Sequence, residues 1–470
     1  MENAINDLWS NLHFEYNCNH EPMSFHFYKN SVKYLNENRL KSNYSSGIYP
    51  YSGRIYPYIP LFLLSIEELC PPNGIIMDPF AGSGTILLES LINPVFKRSA
   101  IGIEINPLGR LISKVKTTPL DLKIINDKKD LILTEYQKTD HILINVPKGA
   151  QFKFWHSQKG LNDLAKLRYS INNQENDNYK DFFWLIFSHL ARKISRADPF
   201  IPPAVLLKPY KYENSPSKIK RIQEAVKNSE NPDLPKMFTD LVNDNSIKIN
   251  SLNKIPAIHQ KEKTASIIWD DAREMRYGTY QYAGKICKKG SRKIRKNSID
   301  LILTSPPYLT AQKYIRSSLL ELIWLEEIIE EKKIDIESKS IGTESIHLTN
   351  FNFYEIGIPE IDDLIIRTLK SSKQRAAEVS QYFRDMKIVI NEMHRVLKKD
   401  SYAILIVGNN KVRGETIETY KFLGKIGENY GFNIKLILKD PIRTRGMITK
   451  RHGNGGLIKD EYILILKKVS

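Results

Sequence analysis

Residues Gly74 to Pro107 read GIIMDPFAGSGTILLESLINPVFKRSAIGIEINP. A short apolar run, a glycine turn, a helix with one apolar face and a second apolar run ending at Glu104 follow one another directly. Short apolar runs without polar alternation fit strands covered on both faces. Two such strands joined through a helix lie parallel, because the crossover carries the chain back to the edge of the sheet at which the first strand began. The pattern predicts an α/β fold built on a doubly wound, mostly parallel sheet.

The rest of the chain extends that sheet and interrupts it. Sheet character returns in TASIIWDDAR (264–273), in SIDLILTSPPY (298–308) and in SYAILIVGNN (401–410), and GFNIKLILKD with DEYILILKK suggests a terminal antiparallel pair. YIPLFLLSIEELC, PLGRLISKVK and SQYFRDMKIVINEMHRVLKKD have helical periodicity. Between them, 121–263 changes character: two aromatic-bearing helical stretches are separated and followed by Asn-, Lys- and Pro-rich sequence, which reads as a largely helical insertion. The segment 326–375 is charged and irregular and reads as a smaller insertion. One domain is therefore expected from 1–120, 264–325 and 376–470. No internal repeat or Gly/Ser linker is visible.

Composition narrows the partners. The 470 residues carry a formal net charge of +17, which favours a polyanionic partner through counterion release. Three scattered cysteines exclude a disulfide framework and fit a reducing cytoplasm, and no His/Cys spacing suggests a metal. The amino terminus shows no secretory pattern, and no apolar stretch is long enough to span a membrane.

Two short motifs carry chemistry. In DPFAGSGT, Gly82 and Gly84 let the backbone approach a ligand without a Cβ in the way, and the following helix offers free N–H groups. The stretch is not a phosphate-binding Walker loop, because Thr85 stands where Lys is required, nor a full dinucleotide fingerprint, because Leu87 holds the third glycine position. A tight strand-to-helix turn would need the same glycines. Glu104, at the end of the next strand, could accept both hydroxyls of a ribose. In TSPPY, Pro306 and Pro307 stiffen a loop at the carboxyl edge of the sheet, where open α/β folds bind ligands. The Ser305 hydroxyl and Pro306 carbonyl could accept from an exocyclic amine, and Tyr308 offers a face for a base.

Together DPFAGSGT and TSPPY resemble motifs I and IV of the amino-group DNA methyltransferases. YPYIP, which contains Tyr56 and Pro57, is similar to a cofactor-side motif of circularly varied members, and Asp271 in DAR is similar to the acidic position beside the adenine. The resemblance implies a Rossmann-like class I methyltransferase fold and S-adenosylmethionine as cofactor. The cofactor side would comprise Tyr56, Pro57, Asp78, Pro79, Phe80, Gly82, Gly84, Thr85, Glu104, Asp271 and Thr304, and the catalytic side Ser305, Pro306, Pro307 and Tyr308. Family members with Ser ahead of Pro-Pro-Tyr mostly methylate cytosine N4; those with Asp or Asn mostly methylate adenine N6, or guanine N2 in RNA. The implied partners are double-stranded DNA and a cognate restriction endonuclease. Here the large insertion precedes DAR, whereas the family's recognition domain usually follows it; both insertions are candidates for reading DNA.

Other features are weaker. The run KICKKGSRKIRK (285–296) precedes the TSPPY strand and belongs at the amino edge of the sheet, as a solvated loop. Arg443, Arg445, Lys450 and Arg451, between the last two strands, are better placed for DNA. His156 and His189 lack triad or metal spacing, and Trp155 and Trp184 read as core of the insertion. A non-catalytic nucleic-acid-binding module is the rival reading, and the intact pair of loops argues against it.

Overall fold

The computed structural model describes residues 2–35, 44–139, 152–268, 270–277, 292–309, 314–326, 333–343, 355–412, 415–442 and 458–469, together with 346, 348 and 353. Arg443, Arg445, Lys450 and Arg451, and most of the basic run 285–296, lie outside the described residues. At the end of that run, Arg292–Lys293 pairs antiparallel with Arg276–Tyr277.

Eight strands form one sheet: β1 (Met23–Ser24), β2 (Ile75–Asp78), β3 (Ser99–Ile103), β4 (Ala265–Ile268), β5 (Ile299–Thr304), β6 (Leu397–Gly408), β7 (Phe432–Pro441) and β8 (Asp460–Lys468). Their spatial order is β1-β7-β8-β6-β5-β2-β3-β4. Every neighbouring pair is parallel except β7/β8 and β8/β6. The fold is thus the α/β, mostly parallel sheet that the apolar runs predict, and the terminal pair is antiparallel.

From β2 the chain steps one way, to β3 and β4, and then resumes on the other side, at β5 and β6. The strand order reverses between β2 and β5, which is where open α/β sheets form a ligand crevice outside the carboxyl ends of their strands. β2 ends at Asp78 and β5 ends at Thr304. Both motif loops therefore leave the sheet side by side. A buried hydrogen bond joins them: the Thr304 hydroxyl donates to Asp78 Oδ1 at 2.6 Å.

Residues 121–263 hold long helices at Leu122–Lys138, Gln158–Asn172, Asn178–Lys193, Pro216–Glu230 and Leu234–Asn250. The apolar faces of all but Pro216–Glu230 share a second core, containing Phe183, Trp184 and Phe238, with the helices Pro107–Thr117 and Leu319–Trp324. Trp184 is fully buried there, and His156 is fixed by a 2.9 Å hydrogen bond between its Nε2 and the Ala191 carbonyl. The segment 326–375 differs from the irregular reading. Pro359–Ser371 is a helix, and its Ile361, Leu364 and Ile365 enter the same core as the sheet. Charged residues on its outer face obscured the apolar repeat.

Among the described residues no helix is long and apolar enough to cross a membrane.

Burial pushes the Asp78 carboxyl up to about 7, against the hydrogen bonds from Thr304 and the Phe80 N–H. A carboxyl held up on folding binds more protons in the folded chain than in the unfolded one between about pH 4 and its folded value. The stability it contributes is complete at the acid end of that window and is lost as pH rises toward 7. In Asp78→Asn, which keeps an acceptor at Oδ1, denaturant unfolding should show a smaller decline over this range. Thr304→Val should lower unfolding free energy by about 1–3 kcal/mol, the cost of leaving a buried acceptor short of a partner.

Candidate active site

The crevice at the strand-order reversal opens into a cavity whose wall combines both motifs. Pro79, Phe80, Gly82, Glu104, Asp271, Ser305 and Pro307 line it. Tyr56, Pro57, Asp78, Gly84, Thr85, Thr304, Pro306 and Tyr308 are not on its wall. Asp78, Gly84 and Thr304 act behind the wall, by shaping the two loops. Tyr56 stacks on Tyr58, with ring centroids 5.4 Å apart, just before the helix Tyr58–Leu63.

The two glycines have different duties. Gly82 has φ +51°, and a Cβ added there would meet nothing closer than 3.8 Å, so its open side belongs to the cavity. Gly84, at φ +70°, starts the helix Thr85–Ile92. A Cβ there would strike Ser113 on the helix Pro107–Thr117, at 2.7 Å from Oγ and 2.9 Å from Cα. Gly84 is thus required for packing of one helix against another.

Glu104 is doubly committed. Its Oε2 accepts from the Gly82 N–H at 2.7 Å and its Oε1 from the Asn106 N–H at 2.7 Å. Burial raises its pKa, and those hydrogen bonds oppose the rise. The carboxylate therefore braces the glycine turn, and each oxygen keeps a lone pair for a ligand.

The acidic doublet after β4 separates into two roles. Asp271 is taken by Arg273, whose Nε reaches Oδ1 at 2.9 Å and whose Nη2 reaches Oδ2 at 2.6 Å. Arg273 also donates to Asp385 at 2.8 Å and to the Lys339 carbonyl at 2.7 Å, tying the cavity wall to the helix Lys373–Val396. Asp270 lies on the same wall, is 2% exposed, and has an Oδ1 without a hydrogen-bond partner. Burial raises its pKa to about 6, against hydrogen bonds from the Arg276 and Asp271 backbone. The sequence reading named Asp271 and not Asp270, and both line the cavity. The doublet itself was visible, but nothing local shows which carboxylate an arginine occupies.

In the second motif, the Ser305 hydroxyl donates to the Ile406 carbonyl of β6 at 3.1 Å. The Asn410 side-chain amide donates to the Leu309 carbonyl and pins the far end of the loop. Tyr308 turns away from the cavity: its hydroxyl donates to Glu461 at 3.2 Å, and its ring lies over Gly408. The expected stacking face is not presented to the cavity in this conformation.

Residues 299–468, which include the second motif, match the DNA methylase family model of the N6/N4 kind. Over those residues the chain is similar to the N6/N4 DNA methylases. The whole chain is 25% identical to the type II methyltransferase M.MvaI of Kocuria varians over 459 residues, covering 92% of this chain and 93% of that one. It is 22% identical over 402 residues to the type II methyltransferase M.MjaII of Methanocaldococcus jannaschii, covering 79% and 73%. To the type II methyltransferase M.BsoBI of Geobacillus stearothermophilus it is 24% identical over 412 residues, covering 78% and 75%. The amino-group DNA methylases use S-adenosylmethionine. The cavity's donor set suits such a group: a glycine without a Cβ, a carboxylate with free lone pairs for ribose hydroxyls, apolar walls at Phe80, Ile103 and Ile105, and the open Asp270 Oδ1.

Gly84→Ala should lower the thermal unfolding midpoint more than Gly82→Ala. Both incur left-handed backbone strain of about 1–2 kcal/mol, but only the Gly84 methyl group meets Ser113 backbone. Differential scanning fluorimetry without ligand reads the difference, and equal shifts would contradict the packing role.

Proposed function

We propose that this protein methylates the N4 amine of cytosine in double-stranded DNA, with S-adenosylmethionine as donor, and that it is the modification partner of a restriction endonuclease in the cytoplasm. The observation that carries the amine chemistry is the direction of the Ser305 hydrogen bond. Its proton is committed to the Ile406 carbonyl, so the lone pairs of Oγ are left to accept. A serine fixed in that way serves an N–H donor and not a carbonyl. The type II methyltransferase relatives support a DNA substrate and the restriction setting.

The target amine of a duplex is stacked, so the cytosine must leave the helix to enter the cavity. Ser305 Oγ and the Pro306 carbonyl then each accept one amine hydrogen, which draws the nitrogen toward tetrahedral geometry and frees its lone pair. Pro307 and the Asn410 brace hold that loop rigid. When bound, S-adenosylmethionine supplies the electrophilic methyl group. Glu104 fixes the ribose, and Asp270 accepts from the adenine amine. Asp271, occupied by Arg273, shapes the wall. The residues chiefly orient the reactants, an effect that contributes up to about 7–11 kcal/mol in favourable cases.

Nucleoside mass spectrometry of duplex DNA after reaction with labelled cofactor tests the reading. Label in N4-methylcytosine is expected; label in N6-methyladenine would replace the cytosine assignment, and label in RNA alone would sink the DNA one. Ser305→Ala should lower turnover far more than cofactor affinity, because its contact strengthens as the nitrogen becomes tetrahedral. Glu104→Ala should weaken cofactor binding by about 1.5–3 kcal/mol, the range for hydrogen bonds to a charged group. Asp270→Asn should weaken it more than Asp271→Asn, as measured by calorimetry.

A further inference from the structure

A second cavity, of about 530 Å³, lies between the helical insertion and the helices that follow TSPPY. Its volume falls in the range of about 300–1,000 Å³ typical of small-ligand pockets. The two cavities share walls. Tyr49, Pro50 and Ser52 line this one, whereas Tyr51 and Gly53 line the methyl-transfer cavity; Ser317 lines this one and Ile315 the other. The two cavities therefore lie on either side of the segment 49–53.

The chemistry of the second cavity is incomplete. Three cations, Arg192, Lys193 and Arg221, and two carboxylates, Glu224 and Glu321, face it. Arg192 is held in place by Nη2, which donates to the carbonyls of Ile201 at 2.9 Å and Pro202 at 3.2 Å. Its Nη1 is buried and has no partner. Glu321, on the helix Leu319–Trp324, is only 6% exposed, and its Oε2 also has no partner. His189 contributes a third unpartnered atom, Nδ1, and burial lowers its pKa to about 4, so the ring is neutral near pH 7. Buried polar atoms are seldom left without partners, because each unsatisfied one costs stability.

Arg192 is near enough to Glu321 for its charge to oppose the rise that burial gives the Glu321 pKa, so a group that offers an N–H to Glu321 and an acceptor to Arg192 on one edge would satisfy both. A nucleobase does so: guanine presents N–H beside O6, and cytosine presents an amine beside a ring nitrogen. Tyr49 and Phe200 add aromatic wall, and Arg221 and Lys193 supply positive charge for a phosphodiester. We propose that this cavity binds a second nucleobase of the DNA substrate, one that is read and not methylated, through Glu321 and Arg192. The proposal rests on the DNA-methylating function argued above.

The test uses the full-length protein, labelled S-adenosylmethionine and plasmid DNA from a methylase-deficient host. Methyl transfer, its sites by sequencing, cofactor affinity and thermal midpoint are measured for wild type, Glu321→Gln, Arg192→Met and Arg192→Lys. Glu321→Gln and Arg192→Met should lower kcat/KM for DNA by roughly ten-fold or more, as for loss of a bidentate base contact. They should also broaden or shift the sites methylated, with cofactor affinity unchanged and Arg192→Lys intermediate. Variants that modify the same sites at the wild-type rate would show a water-filled seam and overturn the proposal. So would a uniform loss of rate that follows a lowered thermal midpoint with site choice intact. If wild type itself transfers no methyl group to DNA, the functional reading falls, and this one with it.

Discussion

The hydrogen bond from the Thr304 hydroxyl to Asp78 fixes the position of everything that follows it. It joins the last residue of β2 to the last residue of β5, the two strands between which the strand order reverses. One carboxylate thereby sets where the glycine turn begins, through the Phe80 N–H at 3.1 Å, and where the Ser-Pro-Pro loop begins. Neither residue lies on the cavity wall. They govern the site by holding its two halves at one separation.

Around that clasp the site is a set of braces more than a set of free groups. Glu104 holds the Gly82 turn, Ile406 holds Ser305, Asn410 holds the end of the loop, and Arg273 links Asp271, Asp385 and the Lys339 carbonyl. Such bracing suits a reaction that depends on alignment, because a side chain already locked in place does not have to be ordered in the transition state. The electrostatics run against the rest of the molecule. The chain as a whole carries +17, yet the cavity and its rear wall hold the carboxyls of Asp78, Glu104 and Asp270. The net charge favours a polyanionic partner, whereas burial raises the pKa of all three carboxyls at the cavity.

The two insertions do not stand apart from this frame. The first shares a core with the helices Pro107–Thr117, which follows β3, and Leu319–Trp324, which follows the second motif loop, and the second joins the core of the sheet. This is how a segment inserted between β3 and β4 comes to wall a cavity that touches Ser317 and Glu321.

Much of this was legible in the chain. Unbroken apolar runs and the glycine turn determine a parallel sheet, because only a crossover through a helix joins such strands. The motifs determine which strand ends matter, since Gly82, Gly84, Pro306 and Pro307 restrict the backbone locally. Three things required the tertiary structure. Arg273 occupies Asp271 and leaves Asp270 open, a choice made by a helix more than a hundred residues away. Tyr308 faces Glu461 on β8 and not the cavity, although its motif implied a stacking surface. The helix Pro359–Ser371 was hidden in a charged stretch, and only packing against the sheet core reveals its apolar face. Local sequence sets backbone conformation and the periodicity of burial; which polar groups satisfy one another depends on neighbours that only folding brings together.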